Sequence, residues 1–128
     1  MLQKTENYLR ALAQLEEAVA AYQAAPQDAL YRDGLIQRFE FTVELAWKSV
    51  KEYLEDQGAI LSGIGSPRAV LKEAFAAGVI TDDATWNAIL AARNTTSHVY
   101  DEKTAVSIAA QICEDFLPVF RALADFYK

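Results

Sequence analysis

The stretch that most constrains this chain runs from about Ala29 to Gln57, a proline-free segment in which apolar residues return at helical spacing. One stripe is Ile36, Phe39, Val43, Ala46, Val50 and Tyr53 or Leu54; a second, beside it, is Leu35, Phe41, Leu45 and Trp47. A helix of this span is about 45 Å long at ~1.5 Å per residue. A helix apolar over so much of its girth is packed on more than one side. It is expected to be central within the chain or to meet another subunit as well. Its polar strip, Glu40, Glu44, Lys48, Lys51, Glu52 and Glu55, falls mostly at i, i+4 spacing and reads by default as ion-paired surface. The alternative role, for Glu44 or Lys48, is to support a cation or a phosphate presented by another helix.

The other segments are built to surround that helix. Met1 to about Ala24 carries Thr5, Tyr8, Leu12, Leu15, Val19 and Tyr22 down one side and Lys4, Arg10, Gln14 and Glu17 down the other. Pro26 breaks it, and Asp28 is the expected N-cap of the long helix. Gly58 is the expected C′ residue at the far end. Ser66-Pro67 places an N-cap and an N1 proline ahead of a short helix, Pro67 to about Ala77, closed by Gly78. Thr81-Asp82-Asp83 caps a helix from about Asp82 to Thr95 whose Trp86, Ile89 and Leu90 face the core, Trp86 as filler. Asp101 or Tyr100 precedes the last helix, about Glu102 to Tyr127, with the stripe Ala105, Ile108, Ile112, Phe116, Val119, Leu123 and Phe126. Pro118 lies inside it and predicts a kink. No run alternates as a strand does. The pattern predicts an all-α, antiparallel bundle of five helices, three of them long, in one domain over residues 1–128.

Composition narrows the function classes. The net charge is −6, from 12 basic and 18 acidic residues. A protein coating nucleic acid over a broad surface is usually basic, because phosphate contacts dominate that affinity; here only a small local basic site is compatible with RNA. The single cysteine, Cys113, admits no internal disulfide and reads as a small buried hydrophobe, which suits a reducing cytoplasm. Lys4, Glu6 and Arg10 interrupt any apolar opening run, so neither a signal peptide nor a membrane span is expected. One histidine and one cysteine cannot supply an ordinary zinc site, and no phosphate loop, dinucleotide loop or Ser-His-Asp spacing is present.

The remaining chemistry lies in Arg93-Asn94-Thr95-Thr96-Ser97-His98-Val99-Tyr100, where a helical pattern gives way to polar and β-branched residues. On a continuous helix a five-residue spacing puts side chains about 140° apart. Arg93 and His98 therefore meet only if the helix ends near Thr95-Thr96-Ser97, or across a symmetry axis. The plain alternative is that both cap the last carbonyls of that helix. As a functional pair they supply what metal-independent RNA cleavage needs: a proton acceptor or donor and a cation for the phosphorane charge. With one histidine per chain, a two-fold dimer would be required to bring two such groups together.

Arg93-x4-His98-x-Tyr100 resembles the signature of HEPN-domain proteins of the HepT-like group. The segment Leu35 to Lys48 is similar to the second helix of the nucleotidyltransferase substrate-binding protein family. So are Gly65-Ser66-Pro67-Arg68 and Trp86 placed seven residues before Arg93-Asn94. The resemblance runs from about Leu2 to the C-terminus. It implies a HEPN-type four-helix up-and-down bundle with a short extra helix. It also implies a partner, a minimal nucleotidyltransferase, for which this chain would be the substrate-binding subunit in a toxin–antitoxin-like pair. The alternative it carries is a HEPN endoribonuclease toxin with Arg93 and His98 catalytic and Asn94 beside them, to which the polar strip of the long helix adds Glu44 and Lys48 as candidate supports. Such a toxin would be neutralised by AMP transfer to Tyr100. HEPN ribonucleases are dimeric with this motif at the interface, so a homodimer is expected beside the hetero-complex. No cofactor or metal of the chain's own is implied; ATP or another nucleotide would be used by the transferase. A third reading is a structural bundle without chemistry.

Overall fold

A computed structural model describes residues 1–61, 65–97 and 101–128. His98 and Tyr100, two of the expected site residues, lie outside the described residues. The chain forms α1 (Gln3–Ala24), α2 (Ala29–Asp56), α3 (Pro67–Ala76), α4 (Asp83–Thr96), α5 (Glu102–Gln111) and α6 (Leu117–Tyr127). A π-helical segment, Ile112–Phe116, joins α5 to α6, so these two are one continuous helical run and the described residues hold five such runs. The all-α class and the helix order are those expected from the sequence, with boundaries within a residue or two.

Local chemistry sets most of those boundaries. Asp28 accepts from the backbone N–H groups of Leu30 (2.9 Å) and Tyr31 (3.3 Å) at the start of α2. Ser66, Asp82 and Asp101 cap α3, α4 and α5 through Ala69 N (3.1 Å), Thr85 N (2.9 Å) and Thr104 N (2.6 Å). Gly58 and Gly78 take φ of +100° and +78°, the left-handed geometry that closes a helix. Beyond each glycine, Ala59 N reaches back to the Leu54 carbonyl and Val79 N to that of Ala74, both at 2.9 Å.

At Pro118, the chain meets the loss of a donor by changing its winding. A proline cannot donate to the carbonyl four residues back, and its ring crowds that carbonyl. The π-helical segment immediately precedes it, and α6 restarts with Pro118 in its first turn. Phe116, at the end of this segment, is buried and stacks on Phe39 at 5.7 Å with an 18° interplanar angle.

The long helix α2 is central, packing against α1, α3, α4 and α5. Phe39 also meets Phe120 (6.2 Å, edge-on), and Phe120 meets Trp86 (5.6 Å, edge-on), so one aromatic column ties α2, α4 and the last helical run together. Trp86 is core filler, as its apolar register predicts. Tyr8 in α1 is fully buried and donates its hydroxyl to the Phe120 carbonyl at 2.7 Å. Burial pushes that phenol well above its ordinary pKa. The stripes of α1 and α5–α6 face this core, except that Phe126 is substantially exposed. Phe41, from the second stripe of α2, is 54% exposed. The part of α2 left uncovered is therefore narrow, and α2 is chiefly an internal helix.

Candidate functional site

The residues expected to carry function meet where α4 crosses α2. Arg93, in the last turn of α4, sends Nη1 to Glu40 Oε2 of α2 at 3.0 Å and to Ser97 Oγ at 3.3 Å. The Thr96 hydroxyl lies 2.8 Å from the same Glu40 oxygen and 2.7 Å from the Arg93 carbonyl, both within donating distance. One carboxylate thus collects a guanidinium and a hydroxyl from a single turn of α4. The two charged side chains are 35% and 27% exposed, so the pair is half-screened and fixed in direction while staying open to solvent. Ion-paired hydrogen bonds of this kind are stronger and shorter than neutral ones.

This arrangement gives Arg93 a partner that the sequence did not single out. Among the described residues, the Arg93 head meets side-chain oxygens and not the carbonyls at the end of its helix. Its direct partner on α2 is Glu40, while Glu44 lines the same groove and feels the Arg93 charge. Glu44 Oε1 pairs with Lys48 Nζ at 3.1 Å within α2, and Glu44 Oε2 accepts from Trp47 Nε1 at 3.2 Å. The carboxylate one turn earlier, Glu40, holds Arg93, because the crossing of α4 over α2 falls at that level. Burial acts to raise the pKa of Glu44. The hydrogen bonds from Lys48 and Trp47, with the charges of Lys48 and Arg93, outweigh it and hold the carboxyl below its ordinary range.

A groove of ≈ 470 Å³ opens beside Arg93 between α2, the start of α3 and the end of α4. Val43, Trp47 and Leu90 contribute its apolar lining; Glu44, Arg68, Arg93 and Asn94 contribute polar groups. Asn94, expected as a supporting residue, is therefore at the groove. Lys48 is not among its lining residues and stays beside Trp47, its Nζ 5.9 Å from the ring centroid. Arg68 enters from α3, held by Asn87 Oδ1 of α4 at 2.7 Å. Glu40 and Arg68 are the two residues whose place at the site sequence reasoning missed. Glu40 sits in a strip of alternating charges, and its partner is 53 positions away. Arg68 stood out only as part of Gly65-Ser66-Pro67-Arg68.

A second groove of ≈ 430 Å³ lies between α1 and α2, lined by Asn7, Arg10, Ala11, Phe41, Glu44 and Leu45 among others. Glu44 borders both grooves, so the exposed Phe41 and the Arg93 groove flank one carboxylate. Cys113 is half-buried, and its thiol is pushed up by burial and then by Glu114, which keeps it protonated and unreactive. Among the described residues, no group of three or more His, Cys, Asp or Glu side chains is placed to hold a metal ion. Among the same residues no helix is long and apolar enough to cross a membrane.

Fold and site together define a helical-bundle protein presenting an arginine-bearing groove beside a fixed ion pair. A family model described as nucleotidyltransferase substrate binding protein like matches residues 3–128, and the chain belongs to that family. It is 31% identical to the HI0074 protein of Haemophilus influenzae, whose structure is described as the fold of a substrate-binding domain of a nucleotidyltransferase. That match has a TM-score of 0.84 and covers 95% of this chain and 97% of that one. A probable ribonuclease HepT from Haemophilus influenzae is 41% identical over 93 residues, 71% of this chain. The match spans 62% of that relative's length.

Proposed function

We propose that this chain is the substrate-binding subunit of a separate minimal nucleotidyltransferase, in a cytoplasmic two-protein system of the toxin–antitoxin kind. The observation that carries this reading is the Arg93–Glu40 pair at 3.0 Å, which fixes a cation at the mouth of a groove sized for a small ligand. The Glu40 carboxylate already balances the guanidinium charge, which suits positioning a ligand more than gripping RNA tightly. The acidic balance of −6 tilts the same way. The chain needs no cofactor for this role; ATP or another nucleotide is the transferase's. A tagged chain co-expressed with a minimal nucleotidyltransferase from the same source is expected to capture it, and absence of any complex would count against this function.

A second copy of the chain belongs to the same proposal. Leu30, Tyr31 and Phe41 on α2 are exposed at 77%, 46% and 54%, apolar surface that a second copy would cover. Light scattering at micromolar concentration is expected to give twice the chain mass; a monomer rejects the dimer.

A second reading is favoured by the ribonuclease relative and by the restraint on Arg93. In it the 2′-hydroxyl of RNA attacks phosphorus, forming the O2′–P bond and breaking P–O5′. His98 handles the proton, and Arg93 steadies the phosphorane charge. The transferase would silence the toxin by moving AMP to Tyr100. AMP transfer is expected to fail on Tyr100→Phe; persistence on that variant removes Tyr100 as acceptor.

A further inference from the structure

Phe126 continues the apolar stripe of the last helical run, yet the core leaves it 41% exposed. Its ring is nonetheless held, edge-on to Tyr53 of α2 at 5.3 Å and to Tyr127 at 6.0 Å. Phe126 forms one edge of an open cleft of ≈ 520 Å³ between α6 and the connection from α3 to α4. Val79, Ile80, Trp86 and Leu123, all buried, make its floor, and the exposed Pro118 and Ala122 lie on its α6 side. The charged groups lining it are both acidic, Asp82 and Asp125, and no lysine or arginine joins them. Asp82 is explained by its capping of α4, where hydrogen bonds from the Thr85 hydroxyl and backbone N–H hold its carboxyl below the usual range. Asp125 has no such role. It stands in the last turn of α6, where the helix dipole favours a cation, and among the described residues it enters no ion pair.

A cleft with an apolar floor, a fixed aromatic edge and a negative rim does not suit a nucleotide or RNA, whose phosphates would face two carboxylates. Resting on the reading of this chain as a transferase's partner, we infer that the cleft is where the transferase docks, through a segment carrying a bulky apolar side chain flanked by lysine or arginine. Charge complementarity selects that occupant. The apolar side chain fills the floor beside Trp86 and Phe126, and the neighbouring cation pairs with Asp125 at the rim, the anatomy of an interface anchor inside a polar border. The side of α2 left to a second copy, Leu30 and Tyr31, carries Asp33 beside it and would bring a third carboxylate to the cleft. The position suits the transferase as well. Trp86 and Arg93 share α4 and stand seven residues apart, about 10 Å along the helix axis. A transferase held at the cleft therefore leaves the Arg93 groove open and close at hand.

Titration of the full chain with the purified minimal nucleotidyltransferase from the same source tests the docking surface, with the thermal midpoint of each variant as the control on folding. Ala122→Arg puts a bulky cation at an exposed position in the cleft. It is expected to weaken transferase binding at least about tenfold, the scale of blocking an interface anchor. Asp125→Asn is expected to weaken it about threefold and Asp125→Lys further, the scale of a rim charge. Asp125→Asn also makes the binding less sensitive to salt, a change that a fold defect does not produce. Arg121→Gln, on the same helix but paired with Glu16 of α1, stays within about twofold. Unchanged binding by a folded Ala122→Arg overturns the inference and leaves the transferase as partner; if that variant melts early, unchanged binding by Asp125→Lys does the same. No binding by the wild type removes the transferase reading and the docking surface with it. A two-copy species in light scattering that Ala122→Arg breaks, with transferase binding intact, gives the cleft to a second copy and also overturns the inference.

Discussion

Two arginines on this molecule each meet a glutamate, and the contrast between them separates a cation that belongs to the fold from one that belongs to the site. Arg32, where α2 passes α5, is buried to 7% exposure, and its only carboxylate contact among the described residues is Glu102 at 3.5 Å, itself 79% exposed. Its Nε is buried and has no hydrogen-bond partner among the described residues. Arg93, where α2 passes α4, is 35% exposed and far better satisfied, with Glu40 at 3.0 Å and Ser97 at 3.3 Å. Burial alone would have nominated Arg32 as the important cation. Hydrogen-bond geometry and the adjoining groove nominate Arg93. A guanidinium in the interior with an unmet donor carries a desolvation cost, whereas one at an open edge with its direction fixed is ready to meet an anion.

The largest expected effect tests the site cation. Arg93→Ala should lower whatever turnover or substrate binding the groove supports by about 100-fold, the scale of removing one preorganised donor. Its thermal midpoint should move by only a few degrees, since the residue is at an open edge. A variant that unfolds would make Arg93 a structural cation and erase the contrast. Next is Glu40→Gln, which keeps an acceptor for Thr96 but releases the charge that aims Arg93. Ligand binding should fall about tenfold, read by titration with thermal stability as the control. Arg32→Met should leave binding unchanged and stability equal or higher by about 1 kcal/mol, since it exchanges a poorly satisfied buried charge for apolar packing. Chemical denaturation measures this, and a large loss would show that Arg32 is better satisfied than its contacts indicate.

The smallest effect concerns Glu44, which borders both grooves. Its folded pKa lies below its ordinary value of 4.5, so its contribution is complete above that value and is lost as pH falls through the folded one. The wild type should therefore lose stability below pH 4.5 more steeply than Glu44→Gln, a difference visible in melts across the acid range. Parallel curves would mean that Lys48 and Trp47 do not hold the carboxylate in solution.

Signals confined to a few neighbouring residues were the legible ones. Asp28, Ser66 and Asp82 cap helices because a short polar side chain two or three residues upstream of an apolar run can reach the free N–H groups, and the stripes of α1 and α2 marked the core. Gly58 and Gly78 were legible for the same reason. What could not be read was decided by the crossing of distant helices. Glu40 and Glu44 are equivalent in sequence, one turn apart in the same strip, and only the level at which α4 crosses selects Glu40 for Arg93. Phe41 fits an apolar stripe as well as Leu45 does, yet it lies outside the ring of helices. Pro118 signalled a disturbance, while nothing in the local sequence said that it would take the form of a π-helical segment ending at Phe116.

The central claim is that the chain serves a transferase and does not act alone, and RNA cleavage by the purified protein without added metal tests it most directly. Wild type and His98→Ala would be compared on the same RNA. The account predicts that neither form cleaves. Cleavage by the wild type that disappears in His98→Ala would contradict it, making this chain the ribonuclease and the transferase its regulator.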